Sequence, residues 1–242
     1  ALVSLAGSHV SSINSRGVVG ITGGIVDLDD IDRALDAAQA VAIPHNREII
    51  HVIPQRFLID DGPILNPEGF SSNRLEAEIL IVTAAVTSAQ NIVRAVSQAG
   101  YRTSAIYLEP LASSLAILSE KEKDLGVAMV DIGGGTSDVA IYMDGTVRFT
   151  GVVPYGGDSI TEDIAKGLKI SRYDAENLKK RYGNALAESV NSEEELEVPN
   201  VLTDQPVKIS RRFLCEIIQS RTEEILVMTK QIEKVFQAVS KI

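Results

Sequence analysis

The chain has 242 residues, 45% apolar and 23% charged, the make-up of an ordinary soluble globular protein with one large or two modest cores. A formal net charge of −10 with no basic tract argues against a nucleic-acid partner. The single cysteine, Cys215, excludes an internal disulfide framework, and His9, His45 and His51 lack the spacing of a zinc site.

Leu2–Ala6 and Val18–Ile21 are predicted strands, with His9–Gly17 a polar connection between them. The aspartates of Asp27–Asp32 favour a helix start, and Ile31, Leu35, Ala38 and Val41 form its apolar face until Ile43-Pro44. Glu48–Asp60 is a long β-rich run in which Pro54 marks an edge strand or a bulge, and Asp61–Ser72 is a loop. Glu76–Ala85 is a buried run, followed by a helix over Thr87–Ala99 with Gly100 as a left-handed cap. Ser104–Leu108 is a short strand. Pro110 opens the next helix, with Leu111, Leu115 and Leu118 on its face, and Ser119–Asp124 is a charged loop.

Val127–Asp138, VAMVDIGGGTSD, is the most informative stretch. Val127–Ile132 is predicted to be a strand buried on both faces, and Gly133, Gly134 and Gly135 let the backbone lie against a ligand. Successive N–H groups there form an anion site, Thr136 and Ser137 add hydroxyls, and Asp131 suits a cation or a water. The alternative is a glycine-rich hairpin turn.

Asp144-Gly145 then joins two strands as a hairpin, and Tyr155–Asp158 is a second glycine turn entering a helix with a capping box at Ser159 and Glu162. Ser171 caps another helix, with Leu178 and Tyr182 on its core face and Gly183 at its end. Ser189–Glu197 is an acidic loop or hairpin arm. Asn200–Leu202 and Val207–Ile209 are strand pieces. Ser210 caps a helix of about 30 residues, roughly 45 Å long. Its seam of Leu214, Ile218, Ile225, Met228, Ile232, Val235 and Val239 is broken at Arg221 and widened by Phe213, Ile217 and Phe236, which favours packing on its own domain over a coiled coil. No stretch is apolar enough for a spanning helix. Both ends read as cut, so a piece of a longer protein is expected.

Three features accompany the glycine-rich stretch. Glu109 ends a strand, where it orders a water or cation or else caps the next helix. Gly156, Gly157 and Asp158 stand at a helix start, either meeting a phosphate oxygen or forming an ordinary N-cap turn. Glu176 and Lys179 lie three apart on a helix, either bracketing a ribose and base or forming a surface ion pair.

The order of EILIVTAA, YLEPLASSLAIL, VAMVDIGGGTSDVAIYMDG, GGDSITEDIAKGL and AENLKKRYG resembles the second half of the actin-like ATPases. SINSRGVVGI, DLDDIDRALDAAQAVAIP, REIIHVIPQRFLIDDG and NPEGFSSNRLEAEILIVTAA narrow the resemblance to the FtsA family of bacterial cell-division proteins, across nearly the whole chain. The resemblance implies an α/β actin-like (ribonuclease-H-like) ATPase fold. It assigns residues 1–72 to a small inserted α+β subdomain, 73–125 to the rest of the first large subdomain, 126–167 to the nucleotide-binding large subdomain, and 168–242 to a small upper subdomain. It further implies ATP with Mg²⁺, acted on by Asp131 and a water-orienting Glu109. Gly133, Gly134, Gly135 and Thr136 would hold the β- and γ-phosphates. Gly156, Gly157 and Asp158 would lie beside the nucleotide, and Glu176 and Lys179 at the adenosine.

The family polymerises into filaments and binds the carboxyl-terminal tail of the tubulin-like FtsZ, for which Arg211, Arg212, Arg221 and Lys230 are the candidate contacts by charge. Residues 1–72 would meet other divisome proteins, and the expected location is the inner face of the cell membrane at the division site. The family's first phosphate hairpin would precede residue 1. Its adenine-side glycine loop and membrane-targeting helix would follow residue 242. ATP turnover is expected to be weak or absent. The other readings are a sugar-kinase-type phosphotransferase of the same superfamily, for which residues 1–72 offer no base, and an interaction module with a vestigial cleft.

Overall fold

A computed structural model describes residues 1–200 and 203–239. Contacts divide the chain into two units, residues 1–131 with 138–152, and residues 132–137 with 153–242.

The elements of the first unit are β1 (Leu2–Leu5), β2 (Val10–Gly20), α1 (Leu28–Gln39), β3 (Arg47–Ile59), β4 (Gly62–Ile64), β5 (Arg74–Ala85), α2 (Val86–Gln98), β6 (Ala105–Leu108), α3 (Glu109–Ile117), α4 (Glu120–Leu125), β7 (Val127–Ile132), β8 (Ser137–Met143) and β9 (Thr146–Val153). They form a parallel pair β1-β6, an antiparallel sheet in the order β2-β5-β3-β4, and a sheet β7-β8-β9. Strand β5 organises the unit. Its side chains alternate across the sheet. Leu75, Ala77, Ile79 and Ile81 face Ala34 and Ala38 of α1, while Leu80, Val82 and Ala84 enter a core shared by all three sheets. That core adds Leu5, Leu108, Met129, Ala140, Tyr142 and Val147. Helix α1 lies so close to β2 that a Cβ on Gly17 would stand 2.3 Å from the Ala34 carbonyl oxygen and the Ala38 nitrogen. A reciprocal capping box between Asp27 and Asp30 starts this helix.

The second unit holds α5 (Gly157–Leu168), α6 (Arg172–Tyr182), a short 3-10 turn (Ala187–Ser189), the antiparallel pair β10 (Glu195–Asn200) and β11 (Thr203–Ser210), and α7 (Arg211–Val239). Its core joins Ile164, Ile170, Ala175, Leu178, Leu196, Val198, Leu214 and Ile218. Leu214, Ile218 and Ile225 of the predicted α7 seam are buried, so the helix packs on its own unit. The Ser210 hydroxyl accepts the Arg212 N–H, as expected of its cap.

Several expectations change. His9–Gly17 is mostly strand, because β2 is a sheet edge on which Ser11, Ile13, Asn14 and Arg16 are exposed. Asp61–Ser72 contains β4, turned back by Asp60 and Asp61 at positive φ. The boundary expected at residue 72 falls just before β5, the strand between β2 and β3, while β1 belongs with β6. Ser119–Asp124 is not a loop. A Ser119–Glu122 capping box starts α4 there. Strand β7 is half-buried rather than buried on both faces, since it is the edge of its sheet and Ala128 and Ile132 are exposed. Leu115 is exposed instead of facing the core. Helix α5 starts at Gly157, so Ser159 and Glu162 lie inside it and form no capping box. Pro54 does mark a register shift in β3. Asn200 ends β10, and the continuation expected at 201–202 lies outside the described residues, as do the side chains of Val235, Phe236 and Val239.

Candidate functional site

In the first unit the Ser113 hydroxyl donates to Asp131 Oδ2 at 2.6 Å, fixing the carboxylate that precedes the glycine turn. Glu109 is the first residue of α3, with Leu108 as its N-cap, so it belongs to the helix rather than to the strand end. Burial pushes the Glu109 carboxyl above its ordinary range, and the charges of Asp131 and Asp138 add to the rise. Asp138 is buried. Glu109 thus feels the charges of Asp131 and Asp138. Among the described residues no group of three or more His, Cys, Asp or Glu is placed to hold a metal directly. Mg²⁺ takes one or two carboxylates and keeps its waters, so the single oriented Asp131 fits a water-mediated ion. His51 sits behind this corner. Its Nε2 accepts the Leu108 N–H at 2.9 Å, and burial holds the imidazole below its ordinary pKa.

In the second unit the two glycine turns are clamped together. Gly133 N–H donates to the Thr136 carbonyl at 2.9 Å and closes the first turn. Gly157 N–H donates to the Gly133 carbonyl at 2.9 Å, and Asp158 N–H to the Gly134 carbonyl at 2.8 Å. The first donors of α5 are therefore satisfied by the other turn instead of pointing at a ligand. That tertiary cap explains why α5 needs no Ser or Thr at its start. A Cβ on Gly156 would stand 2.5 Å and 2.6 Å from the Gly133 and Gly134 oxygens, so only glycine allows this approach. A Cβ on Gly135 would meet nothing within 4 Å. The Ser137 hydroxyl is fully buried and donates to the Tyr155 carbonyl at 2.8 Å, tying the far end of the turn to the same segment.

Glu176 and Lys179 do not form a simple surface pair. Lys179 Nζ donates to the Gly157 carbonyl at 2.9 Å and to Thr161 Oγ1 at 2.7 Å, and lies 2.7 Å from Glu176. The Lys179 ammonium and the Thr161 hydroxyl hold the Glu176 carboxyl down to about 2. The pair secures α6 to the first turn of α5. Asp158 pairs with Arg172 at 3.1 Å.

On α7, Arg211 pairs with Glu194 and donates to the Tyr182 carbonyl, and Arg221 pairs with Asp163 and Glu224. Arg212 lies 3.5 Å from Glu216, and Lys230 is exposed. Ser113, Asp138 and Thr161 were not among the sequence candidates. Ser113 stands four residues after Glu109, the spacing of one helix face, and that signal was legible. Thr161 offers no such signal, because its role arises from the packing of α6 on α5.

A sequence model of the family "Cell division protein FtsA" matches residues 128–242, and one of the "SHS2 domain inserted in FTSA" matches residues 7–83, from just before β2 almost to the end of β5. The cell division protein FtsA of Pseudomonas aeruginosa is 43% identical over 231 residues, covering 95% of this chain and 55% of that protein. The FtsA of Escherichia coli is 37% identical over 241 residues, covering 99% and 57%. The chain thus spans about half the length of these relatives. Among solved structures, MreB5 of Spiroplasma citri bound to ADP is similar with a TM-score of 0.50 at 20% identity, over 62% of this chain and 48% of that one. The PilM–PilN type IV pilus biogenesis complex gives a TM-score of 0.52 at 18% identity, over 75% and 50%. The chain belongs to the FtsA family of cell-division proteins and has an actin-like ATPase fold.

Proposed function

We propose that this chain supplies the phosphate-holding turn of an ATP- and Mg²⁺-binding, actin-like cell-division adaptor. Gly133, Gly134, Gly135 and Thr136 take the β- and γ-phosphates. Asp131, oriented by Ser113, holds the Mg²⁺ ion through water, and Glu109 orients a further water. Gly156, Gly157 and Asp158 act from behind, as the support that fixes the turn. Glu176 and Lys179 border the adenosine while bracing α6. Nucleotide serves chiefly as a conformational ligand, with turnover weak or absent. The observation that carries this reading is the contrast between Gly156, which has no room for a Cβ, and Gly135, where a Cβ would meet nothing within 4 Å. MreB5, similar in fold, is a protein bound to ADP.

The adaptor polymerises and tethers FtsZ filaments at the inner face of the cell membrane at the division site. The FtsZ carboxyl-terminal tail is taken by α7. Arg212 and Lys230 make the first contacts, and Arg211 and Arg221 contribute once drawn from their ion pairs. The inserted unit serves other division proteins. The test is co-sedimentation of the full-length protein with FtsZ, and equilibrium titration with Mg-ATP. Saturable binding lost in Asp131→Ala, with FtsZ pelleted in proportion, is the expected result. Binding unchanged in Asp131→Ala would refute the nucleotide assignment.

A second reading is an interaction module with a vestigial nucleotide site. It draws support from the N–H groups of Gly157 and Asp158 and the side chain of Lys179, all satisfied within the chain. It is separated by the same titration, since such a module pellets with FtsZ and binds no ATP.

A further inference from the structure

We infer that Arg221 of α7 is a positioning residue for the glycine turn, reaching it through Tyr155. Arg221 stands between Ile218 and Ile225, three and four residues away, on the buried seam of a long helix where an aliphatic side chain would be expected. Its side chain is 21% exposed. Nε donates to Asp163 Oδ2 at 2.6 Å and a terminal nitrogen to Asp163 Oδ1 at 3.2 Å, a two-pronged grip on α5. The other terminal nitrogen donates to Glu224 at 2.5 Å. The guanidinium carbon lies over the Tyr155 ring, 5.1 Å from the centroid, a cation–π contact.

Tyr155 is where the two turns are joined. Its carbonyl accepts the buried Ser137 hydroxyl, and the next residue is Gly156, packed on the Gly133 and Gly134 carbonyls. The support passes from the Arg221 guanidinium to the Tyr155 ring, from the Tyr155 backbone to Ser137, and so to the turn. An aliphatic residue at position 221 would pack the seam but would leave Tyr155 with no cation to hold its ring and Asp163 with no fork. Arginine rather than lysine is required, because only a guanidinium fork bonds both Asp163 oxygens while holding its charge over the ring.

The inference rests on the turn being the phosphate cradle for its meaning, though not for its test. Hydrogen exchange of the ligand-free protein reads the turn directly. In Arg221→Ala the amides of Gly133–Ser137 and Gly156–Asp158 should exchange about tenfold faster, while those of α6 and of the β10–β11 pair stay unchanged. Arg221→Lys, which keeps the charge beside Asp163, should show the same local pattern. Tyr155→Leu leaves the ion pair intact and should reproduce it too, which covers the case in which Arg221→Ala fails to fold. Unchanged exchange at the turn in Tyr155→Leu, or a uniform rise across the unit in Arg221→Lys, would overturn the inference. Should the exchange pattern appear in a protein that binds no ATP, the positioning role stands and the nucleotide reading fails.

Discussion

Replacing Gly156 with alanine tests the clamp between the two glycine turns. The added Cβ would lie 2.5 Å from the Gly133 oxygen, 2.6 Å from the Gly134 oxygen and 2.9 Å from the Gly134 carbonyl carbon. All three are backbone atoms, so no side chain can rotate away. Relief requires separating the turns, which breaks the bonds from Gly157 and Asp158 at 2.9 Å and 2.8 Å. Two neutral hydrogen bonds contribute about 1 kcal/mol each, and overpacking without separation costs about 1–3 kcal/mol. Either way the turn loses about 1–3 kcal/mol, or roughly 5–150-fold in its opening equilibrium. Hydrogen exchange on Gly133–Ser137 and Gly157–Asp158 would read this as faster exchange of that size, localised to the two turns. Protection unchanged from the wild type would refute the clamp.

Gly135→Ala is the counterpart. Its Cβ meets nothing within 4 Å, so the melting temperature should hold while Mg-ATP affinity of the full-length protein falls at least tenfold; equal affinity would show that phosphate does not approach there. Gly17→Ala drives a Cβ into the α1 backbone at 2.3 Å and should cost about 2–3 kcal/mol in chemical denaturation, whereas Gly23→Ala, with nothing within 4 Å, should cost little. His51 gives a pH dependence. Its pKa is lowered in the fold, so the neutral imidazole that accepts from Leu108 gives stability fully present above about pH 6.5, the unfolded value, and lost as pH falls through the folded one. Melting temperatures at pH 7.5 and 5.5 should therefore differ more for the wild type than for His51→Gln, and equal differences would remove His51 from the account of this corner.

What was legible in the sequence was written in local chemistry. Asp144-Gly145 specifies its hairpin because both residues take positive φ, 52° and 75°. The spacing of Leu214, Ile218 and Ile225 likewise marks the buried face of α7. The pattern S-x-x-E shows the limit. At Ser119–Glu122 it is a working capping box, yet that segment read as a loop, because charge outweighed the cap signal. At Ser159–Glu162 the same pattern does nothing, because the carbonyls of Gly133 and Gly134 already cap α5 one turn earlier. The first part of β2, residues 10–17, reads as a polar linker in the sequence because an edge strand need bury little and it carries serines and Asn14.

Among the candidate site residues, Asp131 and the three glycines stand out in the sequence by type and spacing. The commitments of Lys179, Thr161 and Arg221 do not, since each depends on which helix packs beside it. Of the two readings of Gly156–Asp158, a donor to phosphate or an ordinary N-cap turn, the N–H groups of Gly157 and Asp158 are taken up by the first turn's carbonyls.

The most direct test of the phosphate cradle is an equilibrium titration of the full-length protein with Mg-ATP, comparing the wild type with Gly135→Ala and Asp131→Ala at matched stability. The expected result is saturable binding by the wild type that drops at least tenfold in each variant, with melting temperatures unchanged in the absence of nucleotide. Binding of equal strength in all three, or none in the wild type, would contradict the assignment of the Gly133–Thr136 turn to ATP.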